Sequence, residues 1–143
     1  MDEYRAAPFR ASVVLADDHP ETAHEIERLL REDFEVIGVV GNGAALVSIV
    51  EILQPDAVVT DIAMPGMDGL EAARRIAISC PGLPVVFVSC HDDAGTARCA
   101  LSLGSAYVVK TSAGEDLLDA VHAALRGDAY VSCSVRIGYR DTP

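Results

Sequence analysis

Residues 55–69 read PDAVVTDIAMPGMDG, and this stretch decides the fold. Residues 57–60 are apolar or β-branched throughout, which predicts a short strand that is buried on both faces. The strand ends at a carboxylate, Asp61, and the Pro65-Gly66 pair favours a tight turn shortly afterwards. Gly69 then allows a helix to begin close to the turn. The stretch therefore predicts a buried strand, a polar loop and a helix.

The same alternation of β-branched runs and helical apolar stripes continues along the chain. The predicted strands are residues 12–16, 35–40, 57–60, 84–89 and 106–109. The fourth helix, at about residues 93–103, is rich in alanine and weakly patterned. The apolar stripes of the other four helices are Ala23, Ile26, Leu29 and Leu30, then Leu46, Val47, Val50 and Leu53, then Leu70, Ala73, Ile76 and Ala77, and lastly Leu117, Leu118, Val121 and Leu125.

Strands and helices in strict alternation predict an α/β fold with a doubly wound, five-stranded parallel sheet. Right-handed crossovers leave few ways to wind such a sheet, and we expect the strand order 2-1-3-4-5. Residues 11–126 form the predicted domain, and Gly127 is the expected end of its last helix. Residues 1–10 read as a leader and residues 127–143 as a tail or linker.

Composition excludes several classes of function. The chain has 143 residues and 11 basic against 22 acidic side chains, a formal charge of −11, which opposes direct binding to nucleic acid or to an anionic membrane. No apolar run approaches the roughly 18 residues of a membrane span, and the acidic start is unlike a signal peptide, so we expect a cytoplasmic protein. The four cysteines form no CxxC pair, which favours small, buried, reduced thiols over a zinc site or a disulfide framework.

Polar residues follow the predicted strands where each strand ends. They are Asp17 and Asp18, Asp61, Ser89, and Lys110. Ligands bind at the carboxyl ends of the strands in such sheets, and three converging carboxylates need a cation between them, for which Mg²⁺ is suited. An ionised aspartate, a lysine and a hydroxyl beside a metal predict phosphoryl transfer with Asp61 as nucleophile. Each residue alone has an ordinary alternative, namely a solvated turn or helix cap, a hydroxyl bonded to backbone, or a surface lysine, but their shared placement favours a site.

Two blocks, VLADDH at residues 14–19 and PDAVVTDIAMPGMDG at residues 55–69, resemble the receiver domain of two-component response regulators, and so do Ser89 and YVVK at residues 107–110. The resemblance implies the flavodoxin-like (βα)5 receiver fold. It implies these roles: Asp61 as phosphoacceptor, Asp18, Asp61 and the Ala63 carbonyl as ligands of Mg²⁺ or of Mn²⁺ in its place, Asp17 as a ligand through water, and Lys110 and Ser89 as partners of the phosphoryl group.

The resemblance also implies a switch and its partners. A histidine kinase or phosphotransfer protein supplies the phosphoryl group, Ser89 moves toward it, and the ring of Tyr107 turns inward from an exposed position. The face formed by helix four, strand five and helix five then changes its protein contacts, and a homodimer through that face is one hypothesis. The chain is thus a phosphoacceptor with only self-phosphorylation and self-dephosphorylation, not an enzyme acting on external substrates.

Residues 110–118 and 127–132 are similar to the NarL/FixJ subfamily, whose receivers precede a DNA-binding output domain. The sequence beyond residue 132 is too short for that domain, so control of transcription would act through a domain outside this chain. Two positions depart from the family: Thr111 follows the lysine where proline is common, and Cys90 replaces the commoner alanine. His91 stands where receivers tune hydrolysis of the acyl phosphate, although a lone loop histidine is more often only solvated, and His19 is equally ambiguous.

Two other functions fit parts of the pattern. A phosphorylation-independent interaction module on the same fold usually loses an acidic or lysine position, and this chain keeps all of them. A Mg²⁺-dependent phosphatase with an aspartyl nucleophile needs a second aspartate two residues later as general acid, and Ala63 stands there. The sequence therefore favours the phosphorylated switch.

Overall fold

A computed structural model describes residues 10–132 and residue 135. In this part of the chain strands and helices alternate, and a short 3-10 helix, Lys110–Ser112, precedes the last helix. The strands are β1 (Ser12–Ala16), β2 (Glu35–Val40), β3 (Ala57–Asp61), β4 (Val85–Ser89), β5 (Ala106–Val109) and β6 (Tyr130–Val131). The helices are α1 (Pro20–Leu30), α2 (Gly43–Leu53), α3 (Gly69–Ser79), α4 (Ala94–Leu101) and α5 (Ala113–Arg126).

All strand pairs are parallel, in the order β2-β1-β3-β4-β5-β6. The predicted α/β fold, doubly wound sheet and order 2-1-3-4-5 are therefore confirmed. The structure adds β6, which lies within the predicted tail or linker, because two residues are too few to show a period. Residues 1–9 of the predicted leader, residues 1–10, lie outside the described residues, and so do residues 133, 134 and 136–143 of the predicted tail.

The sheet is covered on both faces, as its continuous apolar strands predict. Successive residues of β1 alternate between two buried clusters: Val13 and Leu15 belong to one, and Val14 and Ala16 to the other. The first cluster is completed by α1 and α5, and the second by α2, α3 and α4. No helix among the described residues is long and apolar enough to cross a lipid bilayer.

Several predicted details are wrong. In α3 Ala72 is buried together with the predicted Ala73 and Ile76, whereas Ala77 is exposed, because the core-facing stripe lies further round the helix than the spacing suggested. The fourth helix begins after Asp93, which caps it by accepting a hydrogen bond from the Thr96 amide at 2.8 Å, and it ends at Leu101, before the predicted Leu103. The expected burial of the cysteines also fails: Cys90 lies exposed in the loop after β4, Cys99 lies on the outer face of α4, and Cys80 is only partly buried.

Candidate functional site

The carboxyl ends of β1, β3, β4 and β5 meet at one edge of the sheet. The parallel register pairs Asp61 with Val88 and Ser89 with Val109, so the strand ends are nearly level. Each residue predicted from the strand ends therefore lies on the same edge. Carboxylate and imidazole atoms of Asp17, Asp18, His19 and Asp61 lie within 4.8 Å of one another.

Asp61 is held in a fixed orientation at the centre of this edge. The residue is 6% exposed, and its Oδ1 accepts a hydrogen bond from the backbone amide of Ile62 at 2.7 Å. Its Oδ2 accepts a hydrogen bond from Lys110 Nζ at 2.9 Å. The hydroxyl of Thr60 donates to the Asp61 carbonyl at 2.8 Å. A charge-assisted bond on one oxygen and a backbone amide on the other keep the carboxylate aimed at the edge.

Lys110 supplies the positive charge of the site. Its Nζ lies 2.9 Å from Asp61 Oδ2 and 3.3 Å from Asp17 Oδ2, so one ammonium group serves carboxylates from two strands. Burial acts to lower the pKa of Lys110, but the hydrogen bond to Asp61 and the charges of both aspartates outweigh it and raise that pKa. The side chain is therefore protonated. Thr111, where the family commonly has proline, forms part of the 3-10 helix without displacing the lysine.

The acidic pair at the end of β1 leaves two oxygens without hydrogen-bond donors. Asp17 Oδ1 accepts from the His19 amide at 2.9 Å, whereas Asp17 Oδ2 and Asp18 Oδ1 are buried and accept no hydrogen bond. Lys110 Nζ lies 3.3 Å from the first of these atoms, and His19 Nδ1 lies 3.1 Å from the second. Three clustered carboxylates with one lysine and two unsatisfied oxygens fit a hard divalent cation such as Mg²⁺, which prefers oxygen ligands.

His19 belongs to this cluster, a placement that the sequence left ambiguous. Its ring nitrogen Nδ1 lies 3.1 Å from Asp18 Oδ1 and 3.5 Å from Asp17 Oδ1. The imidazole side chain is 67% exposed, so it borders the site from the solvent side. The signal in the sequence was its position directly after the acidic pair, just before α1 begins.

The loop after β3 folds back tightly on the strand. Gly66 has a φ of 73°, which glycine adopts at little cost, and the Gly69 amide donates to the Ile62 carbonyl at 2.7 Å. A Cβ at Gly69 would lie 2.0 Å from the Asp61 carbonyl oxygen, so only glycine fits there. Asp68 caps α3 by accepting from the Glu71 amide at 2.8 Å. The loop carries Ala63, exposed, two residues after Asp61.

Ser89 and Tyr107 lie buried on the adjacent strands. Ser89 is 2% exposed, and its Oγ accepts from the His91 amide at 3.1 Å. Tyr107 is fully buried, and its hydroxyl donates to the His91 carbonyl at 2.7 Å. Burial raises the pKa of Tyr107. The family resemblance implies an exposed starting position for this ring. In the structure the ring instead packs in the apolar cluster on the α4 side, and the His91 carbonyl accepts the hydrogen bond of its hydroxyl.

The fold and the residues at its strand ends define a class of protein, the receiver domain. The response regulator receiver domain family matches residues 13–122 of this chain. The chain belongs to that family, and the predicted resemblance is confirmed. It is a receiver of two-component response regulators of the NarL/FixJ type, as its similarity to the proteins described next shows.

Two curated relatives and two solved structures illustrate the similarity. The nitrate/nitrite response regulator protein NarL of Escherichia coli strain K12 is 36% identical over 127 residues, which are 85% of this chain and 58% of that protein. The transcriptional regulatory protein DegU of Brevibacillus brevis is 32% identical over 125 residues, which are 85% of this chain and 53% of DegU. The chain thus spans slightly more than half the length of these relatives.

Among solved structures, a LuxR-family two-component response regulator from Aurantimonas sp. SI85-9A1 superposes with a TM-score of 0.87 and 26% identity, covering 93% of this chain and 97% of that one. The signal receiver domain of the response regulator NarL from Mycobacterium tuberculosis superposes with a TM-score of 0.77 and 30% identity, covering 84% of this chain and 99% of that one. Both similarities extend over most of the described fold.

Proposed function

We propose that the chain accepts a phosphoryl group on Asp61 from a phosphohistidine of a histidine kinase or phosphotransfer protein. The reaction requires Mg²⁺ or Mn²⁺. The observation that carries the proposal is the 2.9 Å contact of Lys110 Nζ with Asp61 Oδ2, beside Asp17 and Asp18, each of which has one buried oxygen that accepts no hydrogen bond. The nucleophile, the ammonium group of Lys110 and the oxygens that could bind a metal then lie together at one edge of the sheet. These are the groups that phosphoryl transfer requires.

In the transfer step an Asp61 carboxylate oxygen forms a bond to phosphorus as the phosphorus–nitrogen bond of the donor breaks. The electron pair of that bond leaves with the imidazole. Negative charge then moves from the carboxylate onto the phosphoryl oxygens, and Lys110 can follow it because its ammonium is a compact charge on a flexible stem. The Ser89 hydroxyl, which already accepts from the His91 amide, donates its proton to one of those oxygens.

Asp18, Asp61 and the Ala63 carbonyl would hold the metal, with Asp17 acting through water. When bound, the ion supplies charge that offsets the oxygens of the phosphoryl group. The remaining work belongs to the chain itself: the Ile62 amide orients Asp61, and the Asp17 carboxylate keeps Lys110 at the edge of the sheet. Lys110 and Ser89, which would contact the phosphoryl group, are not among the proposed metal ligands. We therefore expect substitutions of these two residues to affect phosphorylation differently from substitutions of the metal ligands.

Phosphorylation acts by favouring one of two conformations of the domain. Ser89 and Tyr107 are the switch residues, and both contact the backbone of His91, so a shift of one is transmitted to the other through the loop that precedes α4. The surface of α4, β5 and α5 then changes its contacts with a partner protein or with a second copy of the chain. We place this switch in the cytoplasm, where it would control transcription through an output domain, because its relative DegU is a transcriptional regulatory protein.

Intact mass after incubation with acetyl phosphate tests the proposal. We expect one phosphoryl adduct on the wild-type chain with Mg²⁺, none with Asp61→Asn, and none with a chelator in place of the metal. Asp128→Asn, which changes an exposed aspartate paired with Arg126, is the matched control and should be modified like wild type. No adduct from acetyl phosphate or from any histidine kinase tried would refute the proposal and leave the phosphorylation-independent interaction module.

A further inference from the structure

Asp116 is a buried carboxylate outside the phosphorylation site. It lies in the first turn of α5 and is 9% exposed. Its Oδ1 accepts a hydrogen bond from the Tyr130 hydroxyl at 2.9 Å, and its Oδ2 accepts one from Ser132 Oγ at 2.7 Å. Both oxygens therefore bind the segment that follows α5. We refer to Asp116, Tyr130 and Ser132 as the clasp.

The clasp is joined directly to β5. The Ser132 amide donates to the Tyr107 carbonyl at 3.0 Å, and the Val109 amide donates to Ser132 Oγ at 3.0 Å. The Ser132 hydroxyl thus extends the backbone ladder of β5 and β6 by one bond. It accepts from the Val109 amide and donates to Asp116, so the carboxylate orients the hydroxyl with its lone pairs toward β5. Ser132 is 3% exposed, which makes an unpaired group there costly.

The clasp also borders the switch residue Tyr107. The register of β5 and β6 sets Val131 beside Tyr107, and neighbouring residues in a parallel sheet present their side chains to the same face. Val131 packs against the apolar cluster that contains the Tyr107 ring. On the other side the ring hydroxyl is held by the His91 carbonyl at 2.7 Å. The buried ring therefore lies between the His91 loop and the docked segment.

We propose that Asp116 is a positioning residue of the switch: through Ser132 it docks residues 130–132 on β5 and thereby holds the Tyr107 ring in its buried position. The inference rests on the proposed function, since Tyr107 has a role only if the domain switches. The coupling is reciprocal, so a change of ring position must also change the docking of residues 130–132. The state of Asp61 is then transmitted to the chain that leaves α5.

The ring position of Tyr107 can be measured by fluorine NMR of the full chain labelled with 3-fluorotyrosine. The chain has four tyrosines, and Tyr107→Phe assigns the signal. In the wild type we expect one Tyr107 signal that is insensitive to exchange of water for deuterium oxide. In Ser132→Ala and Asp116→Asn we expect a second, solvent-sensitive signal with at least a tenth of the intensity. Ser102→Ala removes an exposed hydroxyl that donates to the Cys99 carbonyl, and this control should resemble wild type.

Amide hydrogen exchange at residue 132, whose amide donates to the Tyr107 carbonyl, reports whether the segment has left β5, and exchange in β1 and β3 reports whether the core is intact. Faster exchange at residue 132 with an unchanged single Tyr107 signal would overturn the inference, because the clasp would then be structural only. Unchanged exchange at residue 132 in both variants would overturn it as well. Tyr130→Phe removes one of the two hydrogen bonds to Asp116, so we expect a second Tyr107 signal that is weaker than in the other two variants. This variant tests the inference if the other two do not fold.

These measurements need no phosphodonor, so they separate this inference from the proposed function. Addition of beryllofluoride with Mg²⁺ then provides the second readout. We expect Ser132→Ala to bind this phosphoryl analogue at least threefold more weakly than wild type. If wild type binds no analogue while the Tyr107 signals behave as described, the proposed phosphorylation fails, and only the part of the inference in which Asp116 holds the Tyr107 ring through residues 130–132 is supported. Equal affinity of wild type and variant would contradict the coupling.

Discussion

The ammonium group of Lys110 lies 2.9 Å from Oδ2 of Asp61 and 3.3 Å from Oδ2 of Asp17. The lysine follows β5, whereas the two aspartates end β3 and follow β1, so a single positive charge connects three strand ends. Any cation that binds the same carboxylates must share them with this ammonium group. If the proposed function holds, we expect Lys110 to assist phosphoryl transfer and to weaken binding of a metal ion.

Replacing Lys110 should separate those two effects. We expect Lys110→Met to slow phosphorylation by acetyl phosphate about a hundredfold, the usual cost of removing a charge that stabilises a transition state. The same variant should bind Mn²⁺ about tenfold more tightly, or ~1.4 kcal/mol, because the carboxylates lose their competing cation. Mass spectrometry and calorimetry measure the two quantities. Arg126→Met, at an exposed arginine, should change neither, and weaker Mn²⁺ binding by Lys110→Met would contradict the explanation.

Gly69 should be intolerant of alanine. A Cβ there would lie 2.0 Å from the Asp61 carbonyl oxygen, which is backbone and cannot rotate away. We expect Gly69→Ala to lower the free energy of unfolding by about 2 kcal/mol, as overpacking commonly does, and to slow phosphorylation by turning Asp61 from its orientation. Urea denaturation and intact mass measure these effects.

Gly114 is the matched control, because a Cβ at that position meets nothing within 4 Å and the residue lies in α5. Gly114→Ala should leave the free energy of unfolding unchanged or raise it by up to about 0.5 kcal/mol, because the residue lies in the first turn of the helix, where helix propensity contributes less than in the interior. Equal effects of the two substitutions on stability and on phosphorylation would show that the contact with the Asp61 carbonyl is not the reason why Gly69 is required.

Tyr107 should make the domain less stable in alkaline solution. Burial raises the pKa of its phenol in the folded state, so the folded protein retains the proton when the unfolded chain has lost it. The resulting stabilisation is complete below the ordinary tyrosine pKa of about 10 and is lost as the pH rises through the folded value. Denaturation at pH 8 to 11 (roughly the range that brackets tyrosine titration) should show this loss in wild type, and a smaller loss in Tyr107→Phe. An identical profile for the two proteins would contradict it.

Cys90 should make the site sensitive to thiol reagents. It is exposed and directly follows Ser89, whose hydroxyl lies at the edge of the sheet where we propose that Asp61 is phosphorylated. Alkylation of a variant that keeps only Cys90 should slow phosphorylation of Asp61 at least tenfold, because the added group obstructs the approach of the donor. A variant that keeps only Cys99, exposed on α4, should be alkylated without that loss. Equal rates before and after alkylation of Cys90 would exclude this obstruction.

Much of the fold was predictable because β1, β3, β4 and β5 are buried on both faces and appear in the sequence as nearly unbroken apolar runs. The helical stripes were less informative at their ends. Leu53 is 39% exposed although it lies on the predicted stripe, because the end of α2 extends beyond its core contacts. The two residues of β6 form a strand because they pair with β5, and the local sequence pattern does not show such a pairing.

The strand-end residues were predictable for a different reason: in a parallel sheet, chain position alone says which edge they occupy. The rotamer of Tyr107 was not predictable from the sequence. The alternation of side chains along β5 determines which face of the sheet the residue occupies, but it does not determine whether the ring packs into the apolar cluster on that face. Asp116 was missed because an acidic residue in the first turn of a helix is common for its effect on the helix dipole. Its partners Tyr130 and Ser132 lie 14 and 16 residues further along the chain.

The position of β6 also bears on solubility and on how copies of this chain meet. Without Tyr130 and Val131, β5 would be an edge strand whose amides and carbonyls could pair with another chain, the usual route to uncontrolled association. Its outer side is instead occupied by a strand of only two residues, which the buried Ser132 follows. The edge that the sheet presents on this side is therefore short, and a short edge offers another chain few amides and carbonyls for pairing. A second copy of the chain can pair with β5 itself only after displacing residues 130–132.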